Sequence, residues 1–475
     1  MDSAMIQRMI IAAMFGLVLG LISYWSIRLG LRGREKDGRK VYASFSYYGA
    51  LPFVLLILGA MSRLMLGDEA DPMLFTSLFS VAVSLTVYYV LLALLMPWLR
   101  RRINSWACAA LWLVPNVLYI FGNDYMQLTA PLLIIKASRD LMTALLGVWF
   151  AGFVLIMAWK TEEHLLFRRR VLKNAEKLTS PLWEEIFGQV CTHSGNRPPL
   201  YRSAEVWTPL TIGLFAGARV VVLPERDYTD EELRLVLTHE AVHIARCDAA
   251  SKLALVSVTA LFWFDPLVWL AMRRSADDIE LSCDESVTLG ADEAERRRYA
   301  DLILSSAGDE RGFTTCLSAR ASSLRYRLRQ IMKPAAKRSG ALLIGFAAFF
   351  LILGCVHIAF AYGGGTGEEL IFGGQDTSLY TVSDGSCTDP EGLKDYVASL
   401  ELMELTEEYD FDLDGVRHRV VIFDAPGDQG KQISVDFYDN IVEFRPLFIK
   451  LDHWAEYYYL PAGTDWELLD SFFEP

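Results

Sequence analysis

Six apolar stretches long enough, or nearly so, to cross a lipid bilayer constrain this chain more than any other feature. They lie at about Met5–Leu29, Phe45–Leu66, Met73–Trp98, Trp106–Phe121, Leu141–Trp159 and Ala341–Ala361. A helix rises about 1.5 Å per residue, so about 20 such residues cover the hydrocarbon layer. The fourth stretch is the shortest and contains Pro115, and the apolar run Leu128–Ile135 after it has the length of a re-entrant piece. The first has no small-residue cleavage site closing its apolar run and reads as a retained helix. A hydrophobic content of 53% agrees with a membrane bundle.

Charge orients the bundle. Lysine and arginine crowd residues 28–40, 99–102, 160–177 and 320–338, whereas 67–71 and 122–125 are acidic or neutral. Short cytoplasmic loops retain the basic residues, so these loops alternate consistently with residues 160–338 inside the cell and the segment after Ala361 outside. The net charge of −13 hides a split: residues 362–475 hold 25 acidic and 6 basic side chains, which leaves a positive balance for everything before them. Of seven cysteines only Cys387 lies in that acidic segment, and no CxxC pair occurs, so its fold rests on a hydrophobic core rather than on disulfides. Alternating strings such as 416–423 and 432–437 predict a small α/β or β-rich unit there, with Gly363–Gly367 as a linker. His357, His418 and His453 read as satisfied or surface residues.

The chemistry concentrates at His239-Glu240-Ala241-Val242-His243. Residues four apart share one helical face, so His239 and His243 can direct ring nitrogens at one metal ion while Glu240 reaches a water beside it. A third ligand is required, and Glu280, 37 residues beyond His243, is the candidate. Asp284, one turn further on, is expected to accept a hydrogen bond from a ligand imidazole. Between them, Lys252–Met272 is long enough to span, but Asp265-Pro266 interrupts it and the basic flank at 320–338 opposes a flip, so a helix–break–helix is expected.

These strings, with Arg246-x-Asp248, Phe262-Trp263-Phe264-Asp265-Pro266, Glu280-x-x-Cys283-Asp284-Glu285, Thr208–Phe215 and Leu324–Met332, resemble the BlaR/MecR-type antirepressor membrane zinc metallopeptidases, relatives of the CAAX-protease-like enzymes. The resemblance covers roughly residues 160–340. It implies Zn2+ as cofactor, and Arg219, Val220, Val221, Val222 and Leu223 as an edge strand to which an extended peptide could add. The acidic segment departs from the β-lactam sensors of that family, because it contains no Ser-x-x-Lys, and the five N-terminal spans depart from the three expected of them.

The expected architecture is a polytopic α-helical membrane protein: a transmembrane bundle over 1–159, a mostly α cytoplasmic zincin domain with a small edge sheet over 160–340, a final transmembrane helix over 341–361 and an acidic extracytoplasmic domain over 362–475. The expected activity is that of a signal-transducing zinc endopeptidase in a bacterial cell membrane, acting on a cytoplasmic regulatory protein such as a transcriptional repressor, or on itself. Membrane lipid and a second copy are the other expected partners, and nucleic acid is not. The rival readings are a non-catalytic receptor with a structural zinc site and a housekeeping membrane protease; only a catalytic site needs Glu240 as a base beside its ligands.

Overall fold

The computed structural model describes residues 3–32, 34–36, 39–42, 51–67, 70–118, 133–190, 197–213, 216–307, 321–333, 337–354, 358–383, 385–406, 417–425, 432–447 and 456–473. Helix α1 (Ser3–Arg32) precedes a short hairpin of β1 (Arg34–Lys36) and β2 (Arg39–Val41), then come α2 (Leu51–Leu66), α3 (Ala70–Leu99) and α4 (Ser105–Leu111). Strand β3 (Leu133–Lys136) leads into α5 (Arg139–Lys173). Next are β4 (Glu176–Leu178), α6 (Pro181–Val190), β5 (Leu200–Ser203), β6 (Leu210–Ile212) and β7 (Val220–Pro224). Five helices follow: α7 (Asp230–Ala245), α8 (Asp248–Leu261), α9 (Pro266–Val287), α10 (Glu293–Ala307) and α11 (Ala321–Met332). Then come α12 (Ala341–Leu353) and β8 (Ile358–Thr366), and the remaining strands are β9 (Thr381–Val382), β10 (Glu401–Leu405), β11 (Arg419–Asp424), β12 (Gln432–Phe437), β13 (Ile441–Leu447) and β14 (Glu456–Tyr459).

Among the described residues three helices have the length and apolar composition to cross a membrane, within α1, α3 and α5. Helix α3 is built for lipid: it buries Thr76, Ser77, Ser80 and Ser84 while Val90, Leu91, Leu94 and Leu95 face outward. That inverts the pattern of a soluble helix, because lipid tails solvate leucine and the polar groups must find partners inside. Ser80 finds one by donating to the Ile358 carbonyl at 3.3 Å.

The expected spans need two corrections. Trp106–Phe121 is not one helix: α4 starts at the Asn104 cap and ends at Leu111, and a separate turn of 3-10 helix covers Val114–Val117, with Pro115 near its start. Proline lacks the amide hydrogen a continuous helix would use, and residues 119–121 lie outside those described. Ala341–Ala361 becomes a helix only to Leu353, about 20 Å long, and is already strand from Ile358. Helix α2 covers only Leu51–Leu66 of the second stretch, the residues before it lying outside those described. The interrupted segment Lys252–Met272 is the helix–break–helix expected of it, α8 and α9 joined through Asp265.

Two sheets flank the bundle. The small one has the order β4-β5-β7-β6, and the large one the order β3-β8-β10-β14-β13-β12-β11-β9. In the large sheet β3 pairs with β8 in parallel, so the strand just before α5 joins the acidic C-terminal segment. Its core holds Phe372, Leu393, Val397, Phe423, Val435, Phe437 and Leu469. The glycine run is not a linker: Gly365 pairs with Leu402 as the end of β8, and the positive φ of Gly363 and Gly364 sits where the ladder with β10 shifts register. His418 stacks on Tyr438 with ring centres 6.3 Å apart, while His357 and His453 lie outside the described residues.

Helices α1 and α12 touch backbone to backbone, since a Cβ placed on Gly345 would stand 2.6 Å from the carbonyl oxygen of Gly16. Gly345→Val should therefore cost about 1–3 kcal/mol and lower the melting temperature of the detergent-solubilised protein by several degrees. Gly147→Ala, where nothing lies within 4 Å, should leave it unchanged. Equal melting temperatures for both variants would show that the crossing does not hold the helices.

Candidate metal centre

Helix α7 presents the two histidines because its start and its apolar face are both fixed. Thr229 and Glu232 close a capping box on the first turn, and Asp230, Glu231 and Glu232 suit the positive end of the helix dipole. Val236, Leu237, Ala241, Val242 and Ile244 are buried in the core against α6 and the small sheet. That leaves His239 and His243 on the other side, with ring centres 4.6 Å apart. The helix stops at Arg246, and Cys247 adopts a left-handed conformation with φ 55°, which costs about 1–2 kcal/mol in a residue with a Cβ. The reversal allows Asp248 to open α8 directly beneath His243.

Glu280 reaches the same place from α9. Its Oε2 lies 3.4 Å from His243 Nε2 and 3.8 Å from His239 Nε2, and the two Nε2 atoms are 3.0 Å apart. Ligands about 2.0–2.1 Å from a tetrahedral metal stand about 3.3–3.4 Å from one another, so the triangle has the size of one coordination face. Lys252 donates to the other oxygen of Glu280 at 2.8 Å, which turns a single oxygen toward the histidines.

The hydrogen bonds behind the rings fix what the front can hold. His243 Nδ1 is 2.7 Å from Asp248 Oδ2, and a carboxylate only accepts, so this nitrogen carries the hydrogen. Tyr299 donates to Asp284 Oδ1 at 2.8 Å, and its oxygen then accepts from His239 Nδ1, also at 2.8 Å. Both Nε2 atoms are left as lone pairs. Two ring nitrogens and a carboxylate oxygen converge on one point, and this donor set suits a divalent metal ion.

A second candidate for the third position is Cys283, whose Sγ groups with His239 and His243 within 4.8 Å. It stands 3.5 Å from Nδ1 of His239, the nitrogen already committed to Tyr299, and burial pushes its thiol up. Glu280 faces the Nε2 pair directly, and we therefore favour it.

Two expectations need correcting. Asp284 does not accept directly from a ligand imidazole: it is 3.7 Å from His239 Nδ1 with the Tyr299 hydroxyl between them, and Arg327 occupies both its oxygens, at 2.7 and 2.8 Å. The carboxylate that touches a ligand ring is Asp248. Nor is the run Arg219, Val220, Val221, Val222 and Leu223 an edge strand. Strand β7 is hydrogen-bonded on both sides, parallel to β5 and antiparallel to β6, and its residues are buried, while Arg219 precedes it with its guanidinium 3.5 Å from the Ile244 carbonyl. The sheet edge near α7 is β6, whose Thr211 donates to Glu240 Oε2 at 2.7 Å. Sequence reading missed Thr211, Lys252, Tyr299 and Arg327 as parts of the centre, since single residues on separate elements carry no spacing signal. Asp248 had one, five positions after His243.

Burial pushes Glu240 above the usual glutamate range, with His243 and the Thr211 hydroxyl opposing. Burial and the neighbouring ring hold His239 down at about 3. Burial also works against a charged His243, but Cys283, Glu280 and Asp248 prevail and raise it well above the usual histidine value.

Two histidines one turn apart with a glutamate beside them is the arrangement that metal-dependent peptidases use. Comparison with known proteins points the same way: residues 123–331 match the family described as BlaR1 peptidase M56. The chain is 24% identical over 199 residues to the regulatory protein BlaR1 of Bacillus licheniformis, covering 40% of this chain and 32% of that protein. It is 22% identical over 215 residues to the regulatory protein BlaR1 of Staphylococcus aureus, covering 43% and 36%. With the methicillin resistance mecR1 protein of Staphylococcus epidermidis it shares 27% identity over 105 residues, 22% of this chain and 18% of that one. The alignments thus span about a third of the length of the BlaR1 proteins. These matches support a likeness to the BlaR/MecR-type membrane metallopeptidases.

The groups that raise the pKa of His243 favour a proton where a divalent ion would bind. Its raised pKa means that a divalent ion competes with the proton below that value, so affinity rises with pH until His243 is neutral. Calorimetric titration of the protein with zinc at two pH values should give the tighter binding at the higher pH. Equal affinity at both would contradict this electrostatic arrangement.

Proposed function

We propose that the protein is a membrane-embedded zinc endopeptidase, with His239, His243 and Glu280 as the metal ligands and Glu240 as the catalytic base. The observation that carries this reading is the triangle of two Nε2 lone pairs and one Glu280 oxygen, with edges of 3.0, 3.4 and 3.8 Å. When bound, zinc would supply Lewis acidity, lowering the pKa of a water molecule and polarising a peptide carbonyl. Glu240 takes the proton of the attacking water and delivers it to the departing amine. Thr211 keeps the buried Glu240 carboxyl oriented and closer to its ionised form. The second carboxylate, Asp248, holds His243 in the tautomer that leaves Nε2 free.

The substrate, in this reading, is an extended segment of a cytoplasmic regulatory protein or of the chain itself. It lies along β6, whose outer edge is unpaired among the described residues. Sidedness follows the basic flanks. Arg338 bridges to Ile103 beside Arg101 and Arg102 at one end of the bundle, and β3 joins β8 at the other. The positive-inside bias puts the first end and residues 160–340 in the cytoplasm, and the large acidic sheet outside. A signal received by that sheet would reach the metal centre through α5 and α12. In this reading the outer unit starts at Ile358 and includes Leu133–Lys136, the strand that pairs with it.

Glu240→Gln tests the chemistry. The amide fills the same space and still meets Thr211, but it takes no proton, so zinc content should stay at wild-type level while peptide cleavage falls by at least about 100-fold. Metal analysis and a peptide-library cleavage assay on the purified full chain read both. Wild-type cleavage by this variant would remove the base. Zinc binding without cleavage in the wild-type protein would favour a structural site.

A further inference from the structure

The hydrogen bonds behind His239 continue for three residues, and they converge on the carboxylate of Asp284. Arg327 donates from Nε and Nη2 to the two oxygens of Asp284, at 2.7 and 2.8 Å. Tyr299 donates to Oδ1 of the same carboxylate at 2.8 Å, which leaves the phenol oxygen free to accept from His239 Nδ1 at 2.8 Å. Asp284 is 2% exposed and Tyr299 likewise, so water does not replace any of these partners.

We propose that Tyr299 and Arg327 are positioning residues for His239: Tyr299 directly, and Arg327 through Asp284, fix both its tautomer and the plane of its ring. The proposal rests on His239 being a metal ligand and adds how that ligand is held. A carboxylate directly on a ligand imidazole is the simpler arrangement, and His243 has it in Asp248. At His239 the carboxylate stands 3.7 Å away and a tyrosine is interposed, so the direction of the Tyr299 O–H decides which ring nitrogen carries hydrogen. With the phenol hydrogen on Asp284, the ring hydrogen is on Nδ1 and Nε2 faces Glu280. A phenol hydrogen turned toward the ring would force the hydrogen onto Nε2 and close the metal position.

Arg327 supplies two of the donors that hold Asp284 in the orientation Tyr299 needs. It reaches the carboxylate from α11, a helix whose preceding residue, Tyr326, donates to the Arg100 carbonyl at 3.0 Å. Helix α11 also leads into α12, the apolar helix packed on α1. One ligand of the centre is thereby held from the element that connects it to the membrane bundle.

A double-mutant cycle on zinc affinity tests this. The full-length protein in detergent is titrated with zinc against a competing chelating dye, as wild type, Tyr299→Phe, Arg327→Met and the double variant. Each single change should weaken binding about 10-fold, and the double variant should be no weaker than the weaker single, because without the phenol Arg327 has no route to His239. Arg329→Met, on the exposed side of the same helix, should bind like the wild type. If Arg327→Met does not fold, Arg327→Lys takes its place in the cycle, keeping the charge but not the paired donors. Independent losses multiplying to about 100-fold in the double variant would overturn the proposal, as would wild-type affinity in either single variant. A wild-type protein that binds no zinc would overturn the metal reading itself; zinc bound equally by all variants would overturn only this inference.

Discussion

The reversal of the chain at Asp265 is the constraint on which the rest of the site depends. Helix α8 runs from the histidine helix into the bundle, and α9 brings Glu280 back. Asp265 makes this possible by accepting from the Leu267 amide at 2.8 Å to start α9, while its other oxygen takes the Thr86 hydroxyl of α3, also at 2.8 Å. Three tryptophans hold the turn: Trp149 donates to the Leu261 carbonyl, Trp263 to the Trp149 carbonyl and Trp269 to the Trp263 carbonyl. A continuous helix across the bilayer would place Glu280 about 30 Å from the histidines. The returning helix is then fastened two residues before Glu280, where Asp278 is fully buried between Arg100 and the indole of Trp112, at 2.9 and 3.0 Å. A buried carboxylate without such partners would cost several kcal/mol, so this pair specifies position more than it adds stability.

The sequence revealed these parts unevenly, for physical reasons. The histidines and Glu280 were legible because helical periodicity links residues four apart and because few arrangements of His and Glu at that spacing are accidental. Lys252–Met272 was legible as a broken helix from Asp265-Pro266 alone. Asp284 was recognised as a partner of the centre but assigned the wrong neighbour, since nothing in the local sequence announces that Tyr299 will insert between it and His239. Strand β7 was placed at the sheet edge because five apolar residues look alike on an inner or an outer strand; only the pairing of β6 with it settles the order.

The membrane layout shows the same division. Hydropathy located α1, α3 and α5, whose apolar residues face outward over a full bilayer width. It overextended Ala341–Ala361, because a strand buried on both faces is as apolar as a helix in lipid, and Ile358–Ala361 is such a strand. It also merged α4 with the following 3-10 turn, where burial inside the bundle makes every residue apolar whatever its backbone does. The acidic segment folds as a sheet around aromatic and aliphatic residues that alternate along its strands, and there the period of two was readable in advance.

The identity of the third metal ligand is the central claim, and X-ray absorption of the zinc-loaded protein tests it most directly. With His239, His243 and Glu280 as ligands, the first shell should contain only nitrogen and oxygen at about 2.0–2.1 Å, with the outer-ring scattering of two imidazoles. A sulfur scatterer at about 2.3 Å would put Cys283 on the metal and contradict the assignment of Glu280.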